Sequence, residues 1–355
     1  MKILVISIAG IGDTLIATPL IHELRANYPD AVLDAFVLWP GSKDILRGNP
    51  HVNTVHQEHL FKLGKLGAFK YFLKLRRERY DITINAHPQS RMEYRAGAWL
   101  IGAPLRLSHQ YDTWYWLDGL LVNRTLPHTY DAHSIANNIS LLSLLNKSPK
   151  LDRHEFELFL SAAEEQFATD FLTQHRLASK RCVGFHVGSG ATKNLSLKRW
   201  PLGHYILLIR RMLEQQPDVV ALLFGGPDER EDHRRILAEV KSDRVLNVES
   251  KDIRQAAALI ARCYSFISVD TSLMHMAAAV KVPRQIVIEA PTINKTNEPL
   301  REYFLVKNPG VNGRNLDYYR YDGHPIKGTA EELRRCMESV TVEAVYDTFL
   351  RAAKT

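Results

Sequence analysis

The chain has little cysteine. Cys182, Cys263 and Cys336 are odd in number, far apart and outside any CxxC spacing. That excludes a disulfide framework and a cysteine-built zinc site, and predicts buried, reduced thiols. No run approaches about 18 uninterrupted apolar residues, so no segment reads as a membrane-spanning helix. Met1-Lys2 leads straight into Ile3-Leu4-Val5-Ile6 without an export cleavage signature, which predicts a cytoplasmic protein. The GxxxxGK[ST] spacing of a P-loop is missing. So are helix-turn-helix, zinc-finger and aromatic-plus-basic patterns, which removes nucleic acid as the leading partner.

What is present is the balance of a soluble globular protein, 45% hydrophobic and 24% charged residues. At 355 residues the chain exceeds what one core organises, and two domains are expected. A formal charge of +7, from 46 Lys and Arg against 39 Asp and Glu, favours anionic partners without choosing among them.

Apolar runs suited to buried strands alternate with helical patterns. In the first half strands are predicted at Lys2 to Ile8, Val32 to Leu38, Val52 to Val55 and Asp81 to Asn85. Helices are predicted at 14–28, 60–79, 91–101 and 132–145. Residues 102–130 read as irregular, with aromatic residues Tyr111, Trp114, Tyr115 and Trp116 suited to core packing or to stacking on sugar rings. The polar stretch 146–150 reads as a linker and sets the expected domain boundary at 150. In 151–328 the plan repeats, with strands at Cys182 to His186, Val219 to Phe224, Val245 to Val248, Phe266 to Val269 and Gln285 to Ile288, then an irregular stretch over 289–328. The capping box Thr329-Ala-Glu-Glu332 opens a last helix, 329–355, expected to pack back on the body. Such alternation implies parallel sheets covered on both faces, with ligands at the carboxyl ends of the strands.

Four strand-following loops carry the candidate chemistry. Ala9-Gly-Ile-Gly-Asp13-Thr14 half-matches a dinucleotide fingerprint, but Leu15 holds the third glycine position and the next acid, Asp34, lies inside a strand. Its Asp13 is either a general base toward a hydroxyl or a helix cap. The loop after His186 contains Gly188, Ser189, Gly190 and Thr192 and ends in Lys198-Arg-Trp-Pro201, where a lysine suits a diphosphate. Gly225-Gly226-Pro-Asp228-Glu229 places acids where they can bond ribose hydroxyls or complement a helix dipole. Its cluster of Asp228, Glu229, Glu231, Asp232 and His233 is spread around a helix axis, which argues against a metal site. Last, Val269 runs into Asp270-Thr271-Ser272 and an Ala-rich helix, a junction that aims free N–H groups at an anion or is merely capped.

These four motifs, Gly10-Ile-Gly-Asp13, Lys198-Arg-Trp-Pro201, Gly225-Gly-Pro-Asp-Glu229 and Asp270-Thr-Ser-Leu-Met-His275, resemble in order and separation the lipopolysaccharide heptosyltransferases of glycosyltransferase family 9. The resemblance implies a GT-B fold, two Rossmann-like doubly wound α/β domains facing a cleft. The first, 1–150, would bind the acceptor and the second, 151–328, the nucleotide-sugar donor. It implies inverting transfer of a sugar, with ADP-heptose as co-substrate, onto a hydroxyl of an anionic glycan or glycolipid. No metal cofactor is implied, and the chain has no Asp-x-Asp pair. By this resemblance Asp13 is the base, Lys198 the donor-phosphate lysine and Asp270 the acid toward the donor sugar. Thr271, Ser272, Leu273 and His275 form the diphosphate-binding helix start, Ser189 sits in the loop beside the phosphates, and Gly225, Gly226 and Glu229 form the second donor loop. Two departures, Ser272 in place of a glycine and Ile288-Glu-Ala-Pro291-Thr in place of Phe-Gly-Pro-Thr, concern the donor sugar. The alternatives are another nucleotide-sugar enzyme of this architecture, such as an epimerase, and a non-catalytic nucleotide-sugar binder. The basic, apolar segment 61–77 reads either as a sheet-covering helix or as a peripheral contact with the inner membrane.

Overall fold

A computed structural model describes residues 1–113, 116–190, 195–289, 295–300, 303–307 and 328–354. These fall into two compact units, one built on Met1–Phe159 with Lys295–Asn297, the other beginning at Leu160. Each contains one six-stranded parallel sheet. In the first unit the strands are β1 (Lys2–Ser7), β2 (Val32–Val37), β3 (Thr54–Gln57), β4 (Ile82–Asn85), β5 (Leu105–Gln110) and β6 (Arg124–Pro127), in the order β3-β2-β1-β4-β5-β6. In the second they are β7 (Arg181–His186), β8 (Val219–Phe224), β9 (Val245–Asn247), β10 (Ser265–Val269), β11 (Gln285–Glu289) and β12 (Phe304–Lys307), in the order β12-β11-β10-β7-β8-β9. The same doubly wound order therefore occurs twice. In each sheet it reverses beside the first strand, where β1 pairs with β4 and β7 with β10.

The central strands are apolar on both faces because helices cover both. Ile3, Leu4, Val5 and Ile6 of β1 and all six residues of β8 are buried. In the second unit Trp200 lies in the core and donates from Nε1 to the Val340 carbonyl at 2.8 Å. That bond fixes the C-terminal helices against the core, to which Leu333, Cys336, Val345 and Phe349 contribute.

The structure differs from the sequence reading in several places. Residues 102–130 hold two strands, β5 and β6, rather than irregular chain. Arg106 inside β5 masks the apolar pattern, and its guanidinium is spent on the carbonyls of Ala103 and Leu121 at 2.8 Å each. The stretch 289–328 contains the edge strand β12, whose four residues are too few to show a period. The last helix is two, Ala330–Glu338 and Val342–Ala352, with Thr341 Oγ1 accepting from Ala344 N to start the second. The units divide after Phe159 rather than at 150. Lys150 N and Leu151 N donate to the buried Glu23 carboxylate, and Glu157 N donates to Thr18 Oγ1, which keeps 150–159 with the first unit. Tyr111 is core and Trp116 is 80% exposed, while Trp114 and Tyr115 lie outside the described residues.

The predicted 60–79 helix spans Leu60–Arg76 but is kinked by the left-handed backbone of Gly64 (φ 65°), and its longer part is bound along one edge only. Phe72 and Leu75 are buried, whereas Phe61 is 71% and Leu66 68% exposed, with Leu63, Phe69 and Leu73 also open to solvent. Phe72 closes against Gly97, where an added Cβ would lie 2.8 Å from its ring.

Two buried arginine–carboxylate pairs are forks. Arg95 donates from Nε and Nη2 to the two Asp118 oxygens at 2.6 and 2.9 Å, both side chains being fully buried. In the second unit Arg254 grips Glu164 in the same way at 2.5 and 2.8 Å. Burial alone would raise the Glu164 pKa, but Arg254 and the Ser161 cap bonds hold it at about 2. Replacing Arg254 by Met leaves that carboxylate uncompensated and should cost about 3–5 kcal/mol near neutrality. Because the folded pKa lies below the unfolded value of about 4.3, the pair's contribution is complete above that value and is lost as pH falls toward 2. Urea unfolding of wild type and Arg254→Met should therefore show a gap that narrows from neutral pH to about pH 3. A gap independent of pH overturns this account.

Candidate functional site

In the first unit the carboxyl end of β1 leads through Ala9-Gly10 into the helix Ile11–Asn27. The helix starts earlier than residue 14, so Asp13 stands in its first turn rather than ahead of it. Asp13 Oδ2 reaches back to accept from Gly10 N at 2.6 Å, which closes a capping box. This approach needs glycine, since a Cβ on Gly10 would lie 2.9 Å from Asp13 Oδ2. One carboxylate oxygen is thereby held and the side chain stays half-buried. Tyr94 comes close enough that its hydroxyl pKa is raised, first by burial, with Asp13 and Glu93 adding to the rise against the opposing charge of Arg91. Nothing local in the sequence announces Tyr94, because the fold alone brings it toward Asp13.

Behind this edge stand three histidines from the ends of β4, β5 and β6. His87 Nδ1 lies 2.9 Å from the Tyr111 hydroxyl, and the His87 and His128 rings stack at 4.4 Å. Burial first, then the neighbouring histidines, hold His87 well below its ordinary pKa. The same causes lower His109 to about 3, opposed by the Asn137 carbonyl. His87 and His109 are thus held neutral near pH 7 within this packed aromatic group.

In the second unit the predicted residues converge at the carboxyl ends of β7, β8 and β10. Lys198, at the end of the short turn Leu195–Lys198, places Nζ 2.5 Å from Asp270 Oδ2, with both side chains almost entirely buried. Ser189 Oγ donates to the Leu195 carbonyl at 2.6 Å, tying the start of the small-residue loop to the turn that carries Lys198. Thr192 of that loop lies outside the described residues. Thr271 is the N-cap position of the helix Ser272–Ala279, yet its side chain does not cap. Its Oγ1 lies 3.1 Å from His186 Nδ1 instead. Burial first, then His233 and Arg199, lower the His186 pKa to about 3, so a neutral imidazole orients Thr271. The helix is left without a side-chain cap, and the first-turn amides of Ser272 and Leu273 face the carboxyl edge with the positive end of the dipole. His275, one turn on, is buried.

Glu229 joins the other two loops. Its Oε2 accepts from Gly226 N at 2.7 Å, and Oε1 lies 3.8 Å from Arg199. A Cβ on Gly188 would fall 2.1 Å from Oε1, and one on Gly225 2.7 Å from the Glu229 Cβ. The glycines therefore admit the Glu229 side chain between the loops after β7 and β8. Of the residues in this arrangement, His186 and Arg199 were not singled out from sequence. The signal for His186 was a polar residue closing an otherwise apolar strand.

A buried lysine–carboxylate pair is a poor way to gain stability, since desolvation offsets its attraction. Its position beside an uncapped helix start fits a site that accepts a phosphate-bearing ligand. Two doubly wound units, one with such an anion-receiving edge, define a glycosyltransferase of GT-B fold when set beside known proteins. The family model for glycosyltransferase family 9 (heptosyltransferase) matches residues 68–302, and the chain belongs to that family. It is 28% identical over 308 residues to lipopolysaccharide heptosyltransferase 2 of Escherichia coli (strain K12), covering 80% of this chain and 81% of that protein. The solved E. coli ADP-heptose lps heptosyltransferase II superposes with a TM-score of 0.73 at 20% identity, over 99% of this chain and 98% of that one. An E. coli heptosyltransferase solved with ADP-2-deoxy-2-fluoro heptose gives 0.72 at 18% identity, over 99% of each chain.

The Lys198–Asp270 pair predicts a coupling that stability measurements detect. Lys198→Met or Asp270→Asn alone leaves one buried group uncompensated and should cost about 3–5 kcal/mol. The double variant should cost less than the sum by roughly 0.5–3 kcal/mol. Strict additivity in denaturant unfolding overturns the pairing.

Proposed function

We propose that this glycosyltransferase transfers a heptose from ADP-heptose to a hydroxyl of a lipopolysaccharide core or similar anionic glycan, with inversion and without a catalytic metal. The observation that carries this reading is the Lys198–Asp270 pair beside the uncapped start of Ser272–Ala279. The names of the relatives and the donor analogue bound by one structural neighbour supply the sugar and nucleotide. In this reading the first unit, built on Met1–Phe159, binds acceptor, the second, beginning at Leu160, binds donor, and the helices Ala330–Glu338 and Val342–Ala352 pack on the second. Asp13 takes the proton of the acceptor hydroxyl, which attacks the anomeric carbon opposite the leaving ADP. Lys198 and the amides of Ser272 and Leu273 receive the charge that grows on the diphosphate. Asp270 holds Lys198 in place and faces the sugar, while His275 and Thr271 shape the helix start. Ser189, Gly225, Gly226 and Glu229 set the loops around the nucleotide. The positive charge of Lys198 and the helix terminus takes the part a divalent ion plays where an Asp-x-Asp pair is present.

With purified protein, ADP-heptose and a Kdo-containing acceptor, Asp13→Asn should lower turnover about 10²–10⁴-fold. Lys198→Met should lower it about 10²–10³-fold. ADP release should depend on acceptor and persist in EDTA, and NMR of the product should show the inverted anomer. Near-wild-type turnover by Asp13→Asn removes the base assignment. Release of a free, altered sugar without acceptor replaces transfer by epimerisation.

The open face of Leu60–Arg76 bears on where the acceptor is met. Phe61, Leu66, Phe69 and Leu73 are exposed beside Lys62, Lys65, Lys70 and Lys74, the pairing of apolar and basic residues that binds an anionic bilayer surface. Among the described residues no helix is long and apolar enough to cross a membrane. We read the face as a peripheral contact with the cytoplasmic side of the inner membrane. The protein should sediment with phosphatidylglycerol vesicles in a salt-sensitive way, and each Lys→Gln change on the face should weaken binding by about 1 kcal/mol. Sedimentation that is absent, or unchanged in Phe61→Ser/Leu66→Ser, removes the contact.

A further inference from the structure

A cluster in the first unit lies apart from both edges described above. His22 is on the helix Ile11–Asn27, about 13 Å along its axis from Asp13 at 1.5 Å per residue. His51 is on the loop after the helix Pro40–Leu46, and Glu157 is on the extended segment that runs to the start of the second unit at Leu160. One ligand atom from each lies within 4.8 Å of the others. His22 Nδ1 is 2.6 Å from Glu157 Oε1, and His51 Nε2 is 3.8 Å from Glu157 Oε2. The two imidazoles stack at 3.8 Å with 15° between their planes, so both rings present nitrogen to the same carboxylate.

We propose that His22, His51 and Glu157 bind one divalent cation of the zinc class, which clips the segment leading to the second unit onto the Ile11–Asn27 helix. Two imidazoles and one carboxylate are the donor set of that class, whereas magnesium and calcium call for oxygen ligands. Tetrahedral zinc, with bonds of about 2.1 Å, wants donors roughly 3.4 Å apart. The side chains reach that spacing by rotation, since all three are partly exposed and open to an entering ion.

Their backbones are already fixed. Glu157 N donates to Thr18 Oγ1 at 3.0 Å, one turn before His22 on the same helix. The His51 carbonyl accepts from the Arg25 guanidinium at 3.3 Å, and His51 N donates to Asn49 Oδ1 at 2.8 Å. Arg25 opposes a cation, and the Glu157 carboxylate offsets it. Three protein donors leave a fourth position for water. The ion touches none of the residues assigned to transfer, so its role is to hold the chain.

The test uses the full-length protein, stripped with chelator, dialysed and titrated with Zn²⁺ by calorimetry. One equivalent should bind and raise the melting temperature, and EDTA should reverse the rise. His51→Asn and Glu157→Gln, checked for folding by circular dichroism, should each weaken binding at least ~10-fold, by analogy with losses from perturbed metal shells. Co²⁺ should give d–d absorption in wild type that both variants lack. Uptake that does not saturate at one equivalent overturns the site. So does binding unchanged in both variants, or the absence of a Co²⁺ spectrum from wild type.

Discussion

Parallel pairing is the constraint from which the rest of this molecule follows. A parallel strand cannot return through a tight turn, so every connection crosses a sheet face and covers it with helix. The central strands are then dry on both sides, and polar residues are pushed to the strand ends. Because the order reverses beside β1 and again beside β7, connections on either side of those strands leave to opposite faces. Crevices open there, at the carboxyl ends. Gly10 to Asp13 follows β1 and His87 to Gln89 follows β4. His186 to Ser189 follows β7 and Asp270 to Ser272 follows β10.

Within the second crevice one diverted hydrogen bond sets the electrostatics. A threonine at an N-cap ordinarily accepts from its own helix. Here Thr271 is taken by His186, which is neutral because it is buried among like-charged neighbours. The diversion leaves the helix start uncapped, and the charge it can receive is balanced in advance by keeping Lys198 against Asp270. Glu229, which the sequence suggested for ribose, has one oxygen committed to Gly226 and the rest of its side chain lodged between glycines. Its contribution to any ligand therefore passes through loop shape as much as through direct contact.

How much of this was legible depended on whether the signal was local. Long apolar strands such as β1 and β8 and the glycine loops after them are visible as runs and punctuation, and so were Asp13, Lys198 and the 270–275 turn. β5 was not, because Arg106 breaks its alternation while bonding carbonyls that only the fold supplies. β6 and β12 are short edge strands with little burial to impose a pattern. The break between the last two helices hid because Thr341 is followed three residues on by Ala344 rather than by Glu or Gln, so no capping box marks the second start. Tyr94 lies on the crossover after β4, far along the chain from Asp13, and the packed histidines at 87, 109 and 128 come from three strand ends, so no local spacing announces either group.

The Leu60–Arg76 helix shows that patterning specifies more than a core. At 100° per residue, Phe72 and Leu75 point to the body, while Phe69, Leu73 and Leu66 follow round the axis and Lys70 and Lys74 come after them. The apolar arc is wider than the surface the first unit offers. Turning the helix to bury Phe69 and Leu66 would only bring Tyr71 and Leu75 out, so no rotation hides the excess. Gly97 confirms that the present setting is fixed, because it alone admits the Phe72 ring at 2.8 Å from where a Cβ would be. Among the described residues this apolar arc stays open and is flanked by lysines, and on that pairing the proposed bilayer contact rests.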